Sequence, residues 1–238
     1  MTLLQIVQRF CERTNLAVPA TVYGSTDPQT TQIKALLEEV GIDVTGRGTW
    51  QGITRQALHT TLALEDQGEI AVIADDGFKY ISNQTIWDRT ERLPVIGPTD
   101  GQDWQALKAV VVTAPRYYFR ILNGKLLSNP APPAGHEWAF EYASDNWIIS
   151  ADGLTSRQFF AADTDVPLLP NTMLLQGLRA WWKKEKGLDY AEDMRMYEAQ
   201  LKDALNRDGG KPVLFQDDIA NRGPTPGIWV PSGSWPLP

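Results

Sequence analysis

Two kinds of hydrophobic spacing divide this chain by position. Apolar residues recur three and four apart near both ends, and from about Trp50 to Phe160 they give way to short β-branched and aromatic runs. The first period belongs to helices with one buried face, the second to half-buried strands. A chain that leaves the helical period once and returns to it once is neither a βαβ array nor all-helical. The expected fold is therefore α+β. An antiparallel helical bundle would be built from the N- and C-terminal helices, with an inserted antiparallel β-rich module and an extended C-terminal arm. The expected divisions are 1–49 and 166–208 for the helical body, 50–165 for the β module and 209–238 for the arm.

Local signals place the elements. Thr2 and Gln5 form a capping box that satisfies orphan N–H groups of a first helix, with Leu3, Val7, Phe10 and Cys11 on its apolar face. Asp27 caps a second helix and Pro28 takes its first position, where a missing N–H costs nothing. Ile33, Leu36, Leu37 and Val40 form its stripe, which Gly41 begins to weaken. Ala57–Leu64 and Gly68–Ala74 read as a strand pair around the acidic turn Glu65–Gln67. Thr85–Thr90 and Leu93–Gly97 are further extended runs, the second holding a proline that suits a sheet edge. Asp103–Val111 reads as a short helix carrying Trp104, Leu107 and Lys108. Arg116–Leu122 and Lys125–Asn129 flank Asn123-Gly124, the dipeptide that tolerates both positive φ values of a type I′ turn. Glu137–Ala143 alternates Trp138, Phe140 and Tyr142 against Glu137 and Glu141, bringing the module to six or so strands.

Helix returns after Pro170, capped by Asn171 or Thr172. Leu174, Leu175, Leu178, Trp181 and Trp182 form its broad apolar face, Lys183, Lys184 and Lys186 suit the negative end of its dipole, and Gly187 ends it. Asp189 to Glu192 reads as a second capping box. Behind it Tyr190, Met194, Tyr197, Leu201 and Leu205 share a face through Asn206, so two helices joined by about two residues form an antiparallel hairpin.

Composition excludes several classes. The 238 residues carry 22 Lys+Arg against 29 Asp+Glu, a net charge of −7, which does not suit a protein that neutralises phosphates over its surface. The single cysteine, Cys11, excludes an intrachain disulfide, a CxxC pair and zinc sites with two or more Cys ligands. It fits a reducing compartment. No stretch approaches the roughly 20 apolar residues of a membrane span, and no basic segment precedes an apolar one at the N-terminus, so neither membrane nor leader is expected. The Asn83–Thr85 sequon is then incidental.

Catalytic residue sets do not assemble. His59 lies in a strand-like run and His136 in a loop, and both read as structural. There is no HExxH, GxSxG or GxxxxGK[ST] pattern. Gly46–Gly48 follows a helix and reads as a turn rather than a phosphate loop. Glu38-Glu39 reads as a solvated helix face, Asp75-Asp76-Gly77 as a turn, and Asp163 and Asp165 lack the frame of a calcium loop. No enzyme, cofactor or metal is expected. An unforeseen site would have to form around His136, Glu137 and Asp145.

Nine Trp in a chain with 19 Gly and 16 Pro is the compositional excess. Trp50, Trp87, Trp104, Trp138 and Trp147 are expected to pack the β module and its borders. Trp181 and Trp182 lie about 100° apart on a helix, so either both enter the core or one of them, here Trp182, reaches a neighbouring chain. Residues 221–238 hold five Pro and three Gly, with Ile228, Trp229, Val230, Trp235 and Leu237 between them. A disordered tail is one reading. Aromatics are rare in such tails, and a Pro-stiffened segment with spaced Trp loses less entropy on docking, so a partner-binding arm is favoured. Phe215 joins these as an expected contact.

Several runs resemble the head-to-tail adaptor (connector or neck) proteins of tailed bacteriophages. They are Thr85–Thr90 (TIWDRT), Asp103–Lys108 (DWQALK), Asn129–Trp138 (NPAPPAGHEW), Phe140–Tyr142, Asn146-Trp147, Gly177–Glu192 (GLRAWWKKEKGLDYAE) and Asp208–Val213 (DGGKPV). The resemblance covers most of 1–215 and does not extend beyond Asp218. It implies a virion protein made in the host cytoplasm, in a ring of about twelve copies under a portal protein. The implied partners are portal, neighbouring adaptor subunits, a tail or nozzle protein, and genomic DNA that passes through the lumen without specific binding. It also implies that a C-terminal extension docks on the portal. The alternative is a virion β module that binds carbohydrate or peptide, motivated by exposed-looking aromatics in the central region.

Overall fold

The computed structural model describes residues 1–82, 84–109 and 116–209, and these form a mixed helical and antiparallel-sheet fold. In chain order the elements are α1 (Leu3–Thr14), α2 (Pro28–Gly46), a 3-10 turn at Gln51–Ile53, β1 (Thr54–Thr60), β2 (Asp66–Glu69), α3 (Ile70–Ile73), β3 (Phe78–Ile81), β4 (Trp87–Asp88), β5 (Leu93–Pro94) and α4 (Gly101–Ala109). There follow β6 (Tyr118–Leu122), β7 (Lys125–Asn129), β8 (Glu137–Ser144), β9 (Ile148–Ile149), β10 (Ser156–Arg157), β11 (Val166–Pro167), α5 (Asn171–Glu185) and α6 (Ala191–Asp208). The Asn83 sequon, the end of the helix expected to reach Val111, and the arm from residue 210 lie outside the described residues.

The N-terminal helices follow their local code. Thr2 accepts from Gln5 N–H while the Gln5 side chain accepts from Thr2 N–H, and Asp27 Oδ2 accepts from Thr30 N–H at 2.8 Å. Leu3, Ile6, Val7, Phe10 and Cys11 are buried on α1, and Ile33, Leu36, Leu37, Val40 and Val44 on α2. Gly41 does not weaken α2. The helix runs through it, and a Cβ there would lie 2.2 Å from Trp147 Cζ2, so glycine is what lets the indole seat against the helix.

The C-terminal pair needs three corrections. α5 begins behind Pro170, and no side chain caps it, Asn171 and Thr172 included. The box expected at Asp189 to Glu192 does not form: Tyr190 is the N-cap without a side-chain bond, and Glu192 pairs with Arg195 at 2.6 Å instead. The connection is residues 186–190, longer than two, with Gly187 at φ 67° where the chain must turn out of the helix. Tyr197 and Leu201 are buried on α6, whereas Tyr190 is exposed.

Strand pairing departs furthest from expectation. β1 does not pair with the segment after the acidic turn; it runs antiparallel to β8, from Thr54↔Ala143 to Thr60↔Glu137. Residues 66–69 pair with β7, and Ile70–Ile73 is a helical turn rather than strand. The largest sheet has the order β1-β8-β4-β5, with β3 also on β8. β5 lies at its edge, as its proline requires. The β6–β7 hairpin turns at Asn123 (φ 51°) and Gly124 (φ 73°), the left-handed pair its sequence announces. The remaining sheet is β10-β9-β11.

Two hydrophobic clusters result. One gathers α1, α2, α5 and α6, and the other fills the space under the β8 face that carries Trp138, Phe140 and Tyr142. Trp50, Ile53, Trp147, Ile148 and Phe160 pack in the first cluster. Trp50 and Trp147 are thus core to the helices, not to the β module.

Candidate functional site

Of the residues expected to meet a partner, only Trp182 lies among the described ones; Phe215, Ile228, Trp229, Val230, Trp235 and Leu237 do not. Trp182 is half-buried on α5 and meets Phe10 of α1 edge-on, with ring centroids 5.9 Å apart. Its Nε1 is buried without a hydrogen-bond partner among the described residues. Trp181 packs against the same cluster, so both rings contribute to the core.

The groups that could carry chemistry are occupied by structural contacts. Asp88 is fully buried on β4. Its Oδ1 accepts from Thr90 and Glu91 N–H at 2.9 and 3.0 Å, and its Oδ2 from His136 Nδ1 at 2.8 Å and Trp138 Nε1 at 3.2 Å. A His–Asp couple can orient a general base, but the outer ring nitrogen of His136 faces Glu91 Oε1 at 3.7 Å rather than a hydroxyl or thiol. His59 Nε2 lies 3.2 Å from Gln67 Oε1. Glu137 pairs with Arg89, and Asp145 with Lys79.

The paired acids behave likewise. Asp76 joins Arg55 at 2.8 Å and accepts from Asn146 and Ser156, tying the turn before β3 to the end of β8 and to β10. Burial pushes its carboxyl up, but these hydrogen bonds and the Arg55 charge outweigh it and hold the group below the usual range. Asp163 accepts from Val22 and Tyr23 N–H, and buried Asp165 accepts from Ala161 and Ala162 N–H. Glu38 is not simply solvated: its Oε1 accepts from Phe160 N–H at 3.1 Å. Among the described residues no group of three or more His, Cys, Asp or Glu side chains could hold a metal ion.

Sequence reading missed the outer face of the large sheet. Paired residues share a face, so Leu58, Ala139, Trp87 and Pro94 form one apolar row across β1, β8, β4 and β5, opposite the face that covers Trp138 and Phe140. Leu58 is 56% exposed. A groove of about 340 Å³ lies at Trp87 and Ala139 of the row, its other lining residues including Gln56, Thr85, Arg89 and Glu141. The row is invisible in sequence because its four residues come from strands whose pairing spans more than 80 positions. Of the other aromatics of the central region, Trp104, Trp138, Phe140 and Tyr142 are buried, whereas Tyr80 and Phe159 are exposed.

A family model described as SU10 adaptor protein matches residues 1–224, which extends past Asp218. No curated protein matches the chain.

Proposed function

The chain belongs to the SU10 adaptor protein family, and from that premise we propose that it is the head-to-tail adaptor of a tailed phage. The family makes it a structural adaptor of a phage particle and puts it in the virion. The finer reading is a ring of about twelve copies beneath the portal that joins head to tail and leaves a lumen for DNA. The match over residues 1–224 is the observation that carries it. The occupation of its histidines and buried acids by structural bonds supports a role without catalysis. No described helix is long and apolar enough to cross a membrane.

In this reading 1–49 and 166–208 form the helical body, 50–165 the inserted β module and 209–238 the arm. The two hydrophobic clusters support that division, with Trp50, Ile53, Trp147, Ile148 and Phe160 packed into the body from within 50–165. Portal, neighbouring copies and a tail or nozzle protein are the partners. Phe215, Ile228, Trp229, Val230, Trp235 and Leu237 form the arm's anchors, and the accessible part of Trp182 meets a neighbour. A net charge of −7 suits a lumen that repels DNA and lets it slide.

Mass measurement with and without portal is the direct test: the reading expects a ring on portal and is lost if the protein stays monomeric beside it. Deleting 219–238 should leave a folded protein that no longer joins heads to tails. Normal assembly of that truncation on portal removes the arm from the account.

A further inference from the structure

Among the described residues, no element packs on the apolar row Leu58–Ala139–Trp87–Pro94, of which Leu58 is 56% exposed and Ala139 is covered by its neighbours. On the opposite face Ala57, Trp138, Phe140 and Tyr142 are buried, and at the β3 end the outer face meets the α2–β1 connection through Thr49 Oγ1 and Tyr80 hydroxyl, 2.9 Å apart. The row lies beyond that contact. Of the charges on this face, Arg89 and Glu137 pair with each other at 3.1 Å, and Glu141 lines the groove beside the row. A ligand for this face therefore meets the row with apolar groups and brings no carboxylate against Glu141, which an uncharged apolar segment satisfies.

The chain itself supplies a segment of that chemistry, and the structure shows where it departs. Residues 223–238 contain no charged side chain and carry Ile228, Trp229, Val230, Trp235 and Leu237 among five prolines. α6 ends with Asp208 Oδ2 accepting from Gln51 N–H at 2.6 Å, three residues before β1 begins. Leu58 is seven residues from Gln51, at most about 25 Å of chain. Ile228 is 19 residues past Gly209, and 19 residues span up to about 63 Å when extended, so the segment is long enough to reach the row.

We propose that in the unassembled protein residues 223–238 lie across the outer sheet face of their own chain, over Leu58, Ala139, Trp87 and Pro94. Trp229 or Trp235 fills the groove of about 340 Å³, and the prolines stack on Trp87. Assembly then exchanges this internal contact for the partner. The free protein keeps its apolar arm covered, and the sheet face is uncovered only when the arm is engaged. The inference rests on reading 209–238 as a docking arm.

The test uses the full chain with a benzophenone amino acid in place of Leu58, an exposed position that tolerates the ring, and a second probe in place of Gln56 on the same face. Irradiated as an equal mixture of light and heavy-nitrogen chains, both probes should give adducts to 223–238 within single chains. The double variant W229A/W235A should reduce them at least about tenfold. No adduct to the arm, adducts unaffected by W229A/W235A, or adducts joining light to heavy chains each overturn the proposal; the last assigns the face to a second copy. Portal assembly is scored separately. Assembly without the internal adduct sinks this inference alone, whereas an internal adduct without assembly sinks the adaptor reading alone.

Discussion

At Gly41 the backbone of α2 touches a buried indole. A methyl group there would stand 2.2 to 2.5 Å from three ring atoms of Trp147, which has no exposed surface and no room to retreat. Alanine favours a helix interior over glycine by about 1 kcal/mol, yet overpacking of a tight core costs about 1–3 kcal/mol. Gly41→Ala is therefore expected to destabilise, against helix propensity, and a lowered urea midpoint with unchanged slope checks it. Asp88 gives the polar counterpart. Its removal strands the Trp138 indole N–H, two main-chain N–H groups and the His136 ring at once. Asp88→Ala should cost about 3–5 kcal/mol by denaturant titration, and Asp88→Asn less, because the amide keeps one acceptor oxygen. Neither position was legible as such. Gly41 reads as a flaw in the helix and Asp88 as one acid among many, because the partners that explain them lie 106 and 50 residues away in the chain.

Elements whose instructions are local were legible. Thr2 with Gln5, Asp27 with Pro28, and Asn123 with Gly124 each settle a helix start or a turn within four residues, and all three form. The box at Asp189 fails where a stronger local partner competes: Glu192 bonds Arg195 one turn along rather than reaching back. The α5–α6 seam instead depends on Asp193, which pairs with Lys183 at 2.5 Å and Arg179 at 3.2 Å and accepts from Gln176 at 3.2 Å. Burial pushes the Asp193 carboxyl up, but the Lys183 hydrogen bond and the two positive charges hold it below the usual range near 3.9. A depressed folded value means stabilisation that is complete above the unfolded value and disappears as pH falls through the folded one. Asp193→Asn should thus lower the thermal midpoint at pH 7, by about 2–4 °C for each kcal/mol lost in a chain of this size. The gap between variant and parent should begin to narrow below about pH 4 and close only as pH falls through the lowered folded value. A gap that does not narrow at all on acidification would assign the loss to packing instead.

Across the whole molecule, the helical cluster is closed by helices from the two ends of the described chain, and the path between them is held by specific ties. Leu3 N–H donates to Asp165 carbonyl at 2.9 Å, Phe160 N–H to Glu38, and Trp147 inserts against α2 three residues after β8 ends. Trp147 thus belongs to the helical core while its chain neighbours Tyr142 and Ala143 belong to the sheet. No spacing rule announces such a residue, because its burial follows from where β8 points its C-terminal end and not from any local period. With that coupling, sheet and helices should unfold together: far-ultraviolet dichroism and tryptophan fluorescence should give coincident denaturant transitions. Trp147→Ala should lose about 3–5 kcal/mol, as large buried aromatics do. It should also separate the two signals, since the helical cluster loses its indole while the sheet core around Trp138 and Phe140 stays intact. A Trp147→Ala protein whose two transitions still coincide would show that other ties, among them Leu3 to Asp165, Glu38 to Phe160, Val22 and Tyr23 to Asp163 and Thr49 to Tyr80, suffice to couple the two cores.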